Sequence, residues 1–169
     1  MRFDVLYREL SHGVDVVRAL VSGVSQEEAR MKPAPDAWSI LEVVGHLDDE
    51  ERDDFRTRLD IVLHWPNTRW PAIDPTGWVV ARRYNERDLT ATLESLIAER
   101  NRSLAWLEGL TSPKWDASYH ASFGTITAGD LLASWVAHDN LHTRQLVELK
   151  RHRIVRITEP YAIRYAGDW

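Results

Sequence analysis

The chain has 169 residues, 21 Lys and Arg against 26 Asp and Glu, a net charge of −5 and no cysteine. One domain with a sizeable core fits that length. An acidic total argues against non-specific nucleic-acid binding and against electrostatic attachment to a membrane. Without cysteine there are no disulfides, thiolate nucleophiles, iron–sulfur clusters or cysteine zinc sites, so any transition-metal site must rest on histidine and carboxylate.

The N-terminus is broken by charges and has no apolar signal core, and no apolar run reaches the roughly 18 residues of a spanning helix; the expectation is a cytoplasmic protein. Four stretches carry apolar residues at helical spacing. The first runs from Phe3 to Val24, with Leu6, Leu10, Val14, Val17, Leu20, Val21 and Val24 as one stripe. Ser25 and Glu28 form a small capping box for a short connector ended by Pro33 and Pro35.

The second helix opens at Ser39, with Glu42 reaching back to it and Trp38 placed as a staple against Val43, and ends near His64. A proline-rich loop follows to Pro75, with Trp65, Trp70 and Trp78 spaced along the region. The third helix fits Asp88 to Leu110, and the fourth opens at Thr127, with Asp130 in its first turn, and runs to Lys150. Only Arg153-Ile154-Val155-Arg156-Ile157 alternates like a strand, and the tail from Thr158 to Trp169 is unassigned. Four amphipathic helices have one economical packing, an all-α four-helix bundle over residues 1–169.

Chemistry concentrates on two helices. His138 and His142 are four apart, which puts both imidazoles on one face of the fourth helix, the face of Leu131, Trp135 and Leu146. On the second helix His46 lies on the Ile40 and Val43 side beside the small Gly45, with Asp49 and Glu50 as its neighbours one turn on. Each histidine taken singly reads as a satisfied core residue. The acidic run from Asp48 to Asp54 reads mainly as a solvated face paired with Arg52, Arg56 and Arg58. Asp49 or Glu50 has the alternative of joining a metal or orienting a ligating imidazole.

His138-Asp139-Asn140-Leu141-His142 has the histidine spacing of the zinc-protease helix, but aspartate stands where that motif needs the longer glutamate. Phosphate loops, nucleophile elbows and kinase loops are absent from the sequence. Trp135 and the loop tryptophans read as pocket walls or as ordinary packing.

The order of these motifs, from Trp38-Ser39-Ile40-Leu41-Glu42-Val43-Val44-Gly45-His46-Leu47 through Gly124-Thr125-Ile126-Thr127 to His138-Asp139-Asn140-Leu141-His142, resembles the DinB-like superfamily over Phe3 to Leu149. The resemblance implies an up-down-down-up bundle holding a divalent metal, such as zinc, nickel or ferrous iron, on His46, His138 and His142. It implies a homodimer, and a transferase that uses a low-molecular-weight thiol of the bacillithiol, mycothiol or glutathione kind on a small-molecule substrate, or a related hydrolase. Asp49, Glu50 and Asp139 are then the proton-handling or ligand-orienting candidates. The alternative is a non-catalytic, stress-response bundle that binds a metal or small molecule and uses the site to tie the second helix to the fourth.

Overall fold

A computed structural model describes residues 2–167, so the last two residues of the unassigned tail lie outside the described part. Helix α1 spans Phe3–Val21 and is followed by the one-turn α2, Gln26–Ala29. The second long helix has three parts: α3 (Ile40–Asp49), a π-helical segment (Glu50–Phe55) and α4 (Arg56–His64). Helix α5 (Pro75–Ala81) and a 3₁₀ turn at Tyr84–Glu86 interrupt the long crossing to α6 (Leu89–Glu108). A hairpin of β1 (Ser118–Ala121) and β2 (Gly124–Thr127) leads into α7 (Ala128–Ile157). Among the described residues no helix is long and apolar enough to cross a membrane.

The helix starts form as their sequences dictate. Ser25 with Glu28, Ser39 with Glu42 and Thr127 with Asp130 each close a reciprocal capping box, satisfying backbone N–H groups that have no partner within the helix. Asp88 caps α6 through the Ala91 N–H at 2.8 Å.

Direction follows from which residues meet. Leu10 shares an apolar cluster with Leu131, Leu132 and Trp135, while Val17 and Val21 share another with Leu146 and Leu149, so α1 and α7 run parallel. Asp48 meets Ser95, Glu51 meets Arg100 and Arg56 meets Ser103, so the second and third long helices run parallel as well. Between the pairs the sense reverses: Glu51 meets Trp135 whereas His46, five residues earlier, lies against His142. The bundle is therefore up-down-down-up.

Two readings of the sequence need correction. Arg153–Ile157 is not a strand but the last turns of α7, because extending a nucleated helix by further turns fixes few new dihedrals per hydrogen bond gained. The strands lie instead at 118–127, paired in antiparallel register from Ser118–Thr127 to Ala121–Gly124, too short to leave a legible alternation. The acidic run is also not a solvated face. Asp48, Asp49, Glu50, Glu51 and Asp54 are all buried: Glu51 faces Arg100 and Trp135 in the core, Asp48 lies between Ser95 and Arg87, and α5 with the Tyr84–Glu86 turn folds back over α3 at Asp49. Gly45 makes that cover possible, since a Cβ there would stand 3.0 Å from Cγ of Tyr84.

A layer of polar side chains divides the core. On one side lie Val14, Val17, Val21, Val43, Val44, Leu47, Leu96 and Leu146, and on the other Leu10, Phe55, Leu59, Leu107, Leu131 and Leu132. Between them Arg100, 2% exposed, binds Glu51 through Nε and Nη2 at 2.9 and 2.8 Å, and Asp139 through Nη1 and Nη2 at 2.6 and 2.9 Å. It also donates to the Leu10 carbonyl at 2.6 Å, and the Trp135 indole N–H donates to Glu51 at 2.8 Å.

Candidate metal centre

The polar layer continues sideways into the histidines. Helix α3 supplies His46, and α7 supplies His138 and His142 from successive turns of one face, as the four-residue spacing requires. Their Nε2 atoms converge: His46 to His138 is 3.2 Å and His142 to His138 is 3.1 Å. Among the described residues these three form the one group of histidines and carboxylates whose ligand atoms lie close enough to share an ion.

The surroundings keep the imidazoles neutral. Burial pushes His46 down to about 3, with the neighbouring His142 adding to the effect and Asp49 opposing it. His138 is held at about 3 by burial first, then by His142, His46 and Arg100. His142 is lowered by burial, partly offset by Gln145 and Asp139. Its Nδ1 faces Gln145 Oε1 at 2.7 Å, so Nδ1 carries the proton and Nε2 turns a lone pair toward the other two rings.

A metal fits this set on two counts. Two neutral imidazoles share a proton readily, but three converging Nε2 atoms are satisfied together only by a common cation. Nitrogens at about 2.0–2.1 Å from a tetrahedral ion stand roughly 3.3–3.4 Å apart, close to the separations here. His46 Nδ1 is buried without a hydrogen-bond partner among the described residues.

Around the triad the walls are apolar. Trp38 lies 4.9 Å from the His46 ring and stacks within 7° of parallel on His142 at 6.2 Å; Phe55 lies 5.0 Å from His138 and stacks on Trp135. On the Trp38 side a cleft of about 490 Å³ reaches His142, lined by Pro33, Trp38, Gln145, Glu148 and His152. Trp65, Trp70 and Trp78 are not part of that lining: Trp70 stacks on Tyr119 at 4.3 Å, Trp78 lies under the Arg82 guanidinium at 3.8 Å and Trp65 is exposed.

The three carboxylates singled out from the sequence stand apart from the converging nitrogens. Asp49 accepts from the Tyr84 hydroxyl at 2.6 Å and pairs with Arg52 at 2.6 Å and Arg82 at 2.7 Å, which keep it ionised against the cost of burial. Asp139 gives both oxygens to Arg100. Glu50 is different. Burial, the adjacent Asp54 charge and a hydrogen bond to Asp54 push it up to about 8, so it holds a proton at neutral pH, and its Oε1 has no hydrogen-bond partner among the described residues.

The model of the DinB superfamily matches residues 9–146, which contain the whole triad and the four long helices apart from their outer ends. The chain belongs to the DinB superfamily. No curated protein matches it. Among solved structures it is similar to YfiT from Bacillus subtilis, described as "a probable metal-dependent hydrolase with an unusual four-helix bundle topology", with 19% identity, a TM-score of 0.79 and coverage of 90% of this chain and 87% of that one. At that TM-score this DinB chain has the same fold.

Arg100 and Trp38 carry more of the site than the sequence suggested. Arg100 had a signal, since it occupies an apolar-stripe position of the third helix between Leu96 and Leu107. Trp38 had only its role as a staple, and its contact with His142, more than a hundred residues later, leaves no local pattern.

Proposed function

We propose that this DinB protein is a divalent-metal-dependent enzyme acting on a small molecule, with His46, His138 and His142 as ligands and the cleft beside Trp38 as the way in. The convergence of three neutral Nε2 atoms, from the buried His46 and His142 and the half-buried His138, beside an open cleft carries this reading. An ion held by three imidazoles leaves a coordination position where a bound thiol or water loses its proton near neutral pH.

The chain's own residues favour a thiol over water as the nucleophile. Water activation is helped by a carboxylate base at the ion, and Asp49 and Asp139 are both committed to arginines. A thiol needs no such base, and the cysteine-free chain supplies none of its own, so the nucleophile is a low-molecular-weight thiol cosubstrate and the reaction its transfer to an electrophile. Asp139 fixes the rotation of α7 through Arg100, Gln145 fixes the ring of His142, and Trp38 covers two of the imidazoles from water.

Metal content by elemental mass spectrometry, on untagged protein beside His142→Ala, tests the site. About one zinc, nickel or iron per chain, lost in the variant, is expected; no metal in either ends this reading. With metal present, turnover of an electrophile only when thiol is added supports the transferase, and ester hydrolysis without thiol assigns the site to a hydrolase. Stoichiometric metal that exchanges no ligand with added thiol or azide assigns it to structure.

A further inference from the structure

The basic residues of this acidic chain are unevenly placed. From residue 144 to 164 stand Arg144, Lys150, Arg151, Arg153, Arg156 and Arg164 against the carboxylates Glu148 and Glu159. In this region the tail after α7 turns back along the helix, through a 3₁₀ turn at Arg164–Ala166. Between tail, α7 and Leu20 of α1 lies a cleft of about 880 Å³, a volume in the range that holds small organic ligands.

Its lining has two characters. Leu20, Val147, Ile154, Ala162 and Ile163 make an apolar body, and every ionisable group, Lys150, Arg151 and Arg164, is a cation. Among the described residues no carboxylate lines it. Neither Lys150 nor Arg164 makes an ion pair with another described residue. An apolar trough edged by Lys150, Arg151 and Arg164 complements one kind of small molecule, an apolar body ending in an anion.

The cleft is separate from the histidines. At about 100° per residue around the α7 axis, Val147, Lys150 and Ile154 lie roughly half a turn away from His138, His142 and Leu149. The two clefts share no residue.

We propose that this cleft binds a small amphipathic carboxylate, an alkyl or aryl acid, with its body over Leu20, Val147, Ile154 and Ile163 and its carboxylate at Lys150 and Arg164. A concave trough of this volume favours a discrete molecule over a membrane surface, which would need its cations and apolar groups on a projecting face. Binding here needs no metal, so it stands or fails independently of the proposed enzyme activity.

Isothermal titration calorimetry of the full chain with decanoate below its micelle concentration reads the site directly. The expected result is saturable one-to-one binding, weakened at least about tenfold in Lys150→Glu/Arg164→Glu, retained in His142→Ala, and absent with decyltrimethylammonium, which keeps the chain length and reverses the charge. A second variant, Ala162→Trp, fills the trough without touching a charge and is expected to abolish binding. No saturable decanoate binding, equal binding of the cationic probe, unaltered binding in both variants, or binding only to anionic vesicles would overturn the proposal.

Discussion

His46 and His138 titrate against the fold. In the unfolded chain each takes up a proton near pH 6.5, whereas the folded chain keeps them neutral down to about 3. Between those limits the unfolded state binds the extra protons, so the metal-free fold loses stability as pH falls. Glu50 has the opposite sign. Its ordinary value of 4.5 is raised to about 8, the folded state binds the extra proton across that window, and stability is lost as pH rises through it. Asp54, raised by its own burial, acts in the same direction. From pH 6.5 to 8 the unfolded imidazoles give up their remaining protons, so their contribution fades and the carboxyl pair sets the trend. The thermal midpoint of chelator-treated protein is therefore expected to fall from pH 6.5 to 8, and Glu50→Gln to flatten that fall while leaving the loss on the acid side. Thermal denaturation at half-unit pH steps checks it, and a wild-type midpoint that is level above pH 6.5 would contradict the assignment.

Among the elements, α1 and α7 are held together by an absence. Gly13 sits in the middle of α1, where alanine would ordinarily gain about 1 kcal/mol of helix propensity. A Cβ at that position, however, would stand 2.5 Å from Oδ2 of Asp139. Accommodating it means moving a carboxylate that both arms of Arg100 hold, so Gly13→Ala is expected to destabilise by about 1–3 kcal/mol despite its propensity. Urea denaturation measures the difference, and a more stable variant would show that Asp139 is free to shift. At this scale the sequence was most legible where caps and stripes are local: three reciprocal boxes and all four long helices stand where their residues put them. It was least legible where an element owes its form to neighbours. The second helix widens into π geometry as it carries Glu51 toward Arg100, α7 runs seven residues past Lys150, and the burial of Asp48 and Asp49 depends on a cover contributed by residues 75–87.

For the whole molecule the polar layer is the joint between two apolar clusters, and it is the part a list of hydrophobic positions cannot show. The three histidines were legible because they fall on buried faces at usable spacing, but no spacing reveals that Glu51 and Asp139, 88 residues apart in numbering, meet at one guanidinium. Removing Arg100 alone strands two buried carboxylates. Arg100→Met is expected to cost on the order of 3–5 kcal/mol, and the triple variant Arg100→Met/Glu51→Gln/Asp139→Asn to recover most of it, because neutral groups need no counter-charge. Chemical denaturation of both variants checks this, and similar losses in the two would mean that packing rather than charge sets the role of Arg100. The parallel pairing of α1 with α7 has a mechanical consequence as well. The N-terminus leaves one end of the bundle and the end of α7 leaves the other, so tension applied between the termini slides these two helices past each other and loads their whole interface at once. A bundle with both termini at one end would unzip turn by turn; this one resists extension in shear, and its histidine centre, bridging α3 to α7, lies in the loaded section.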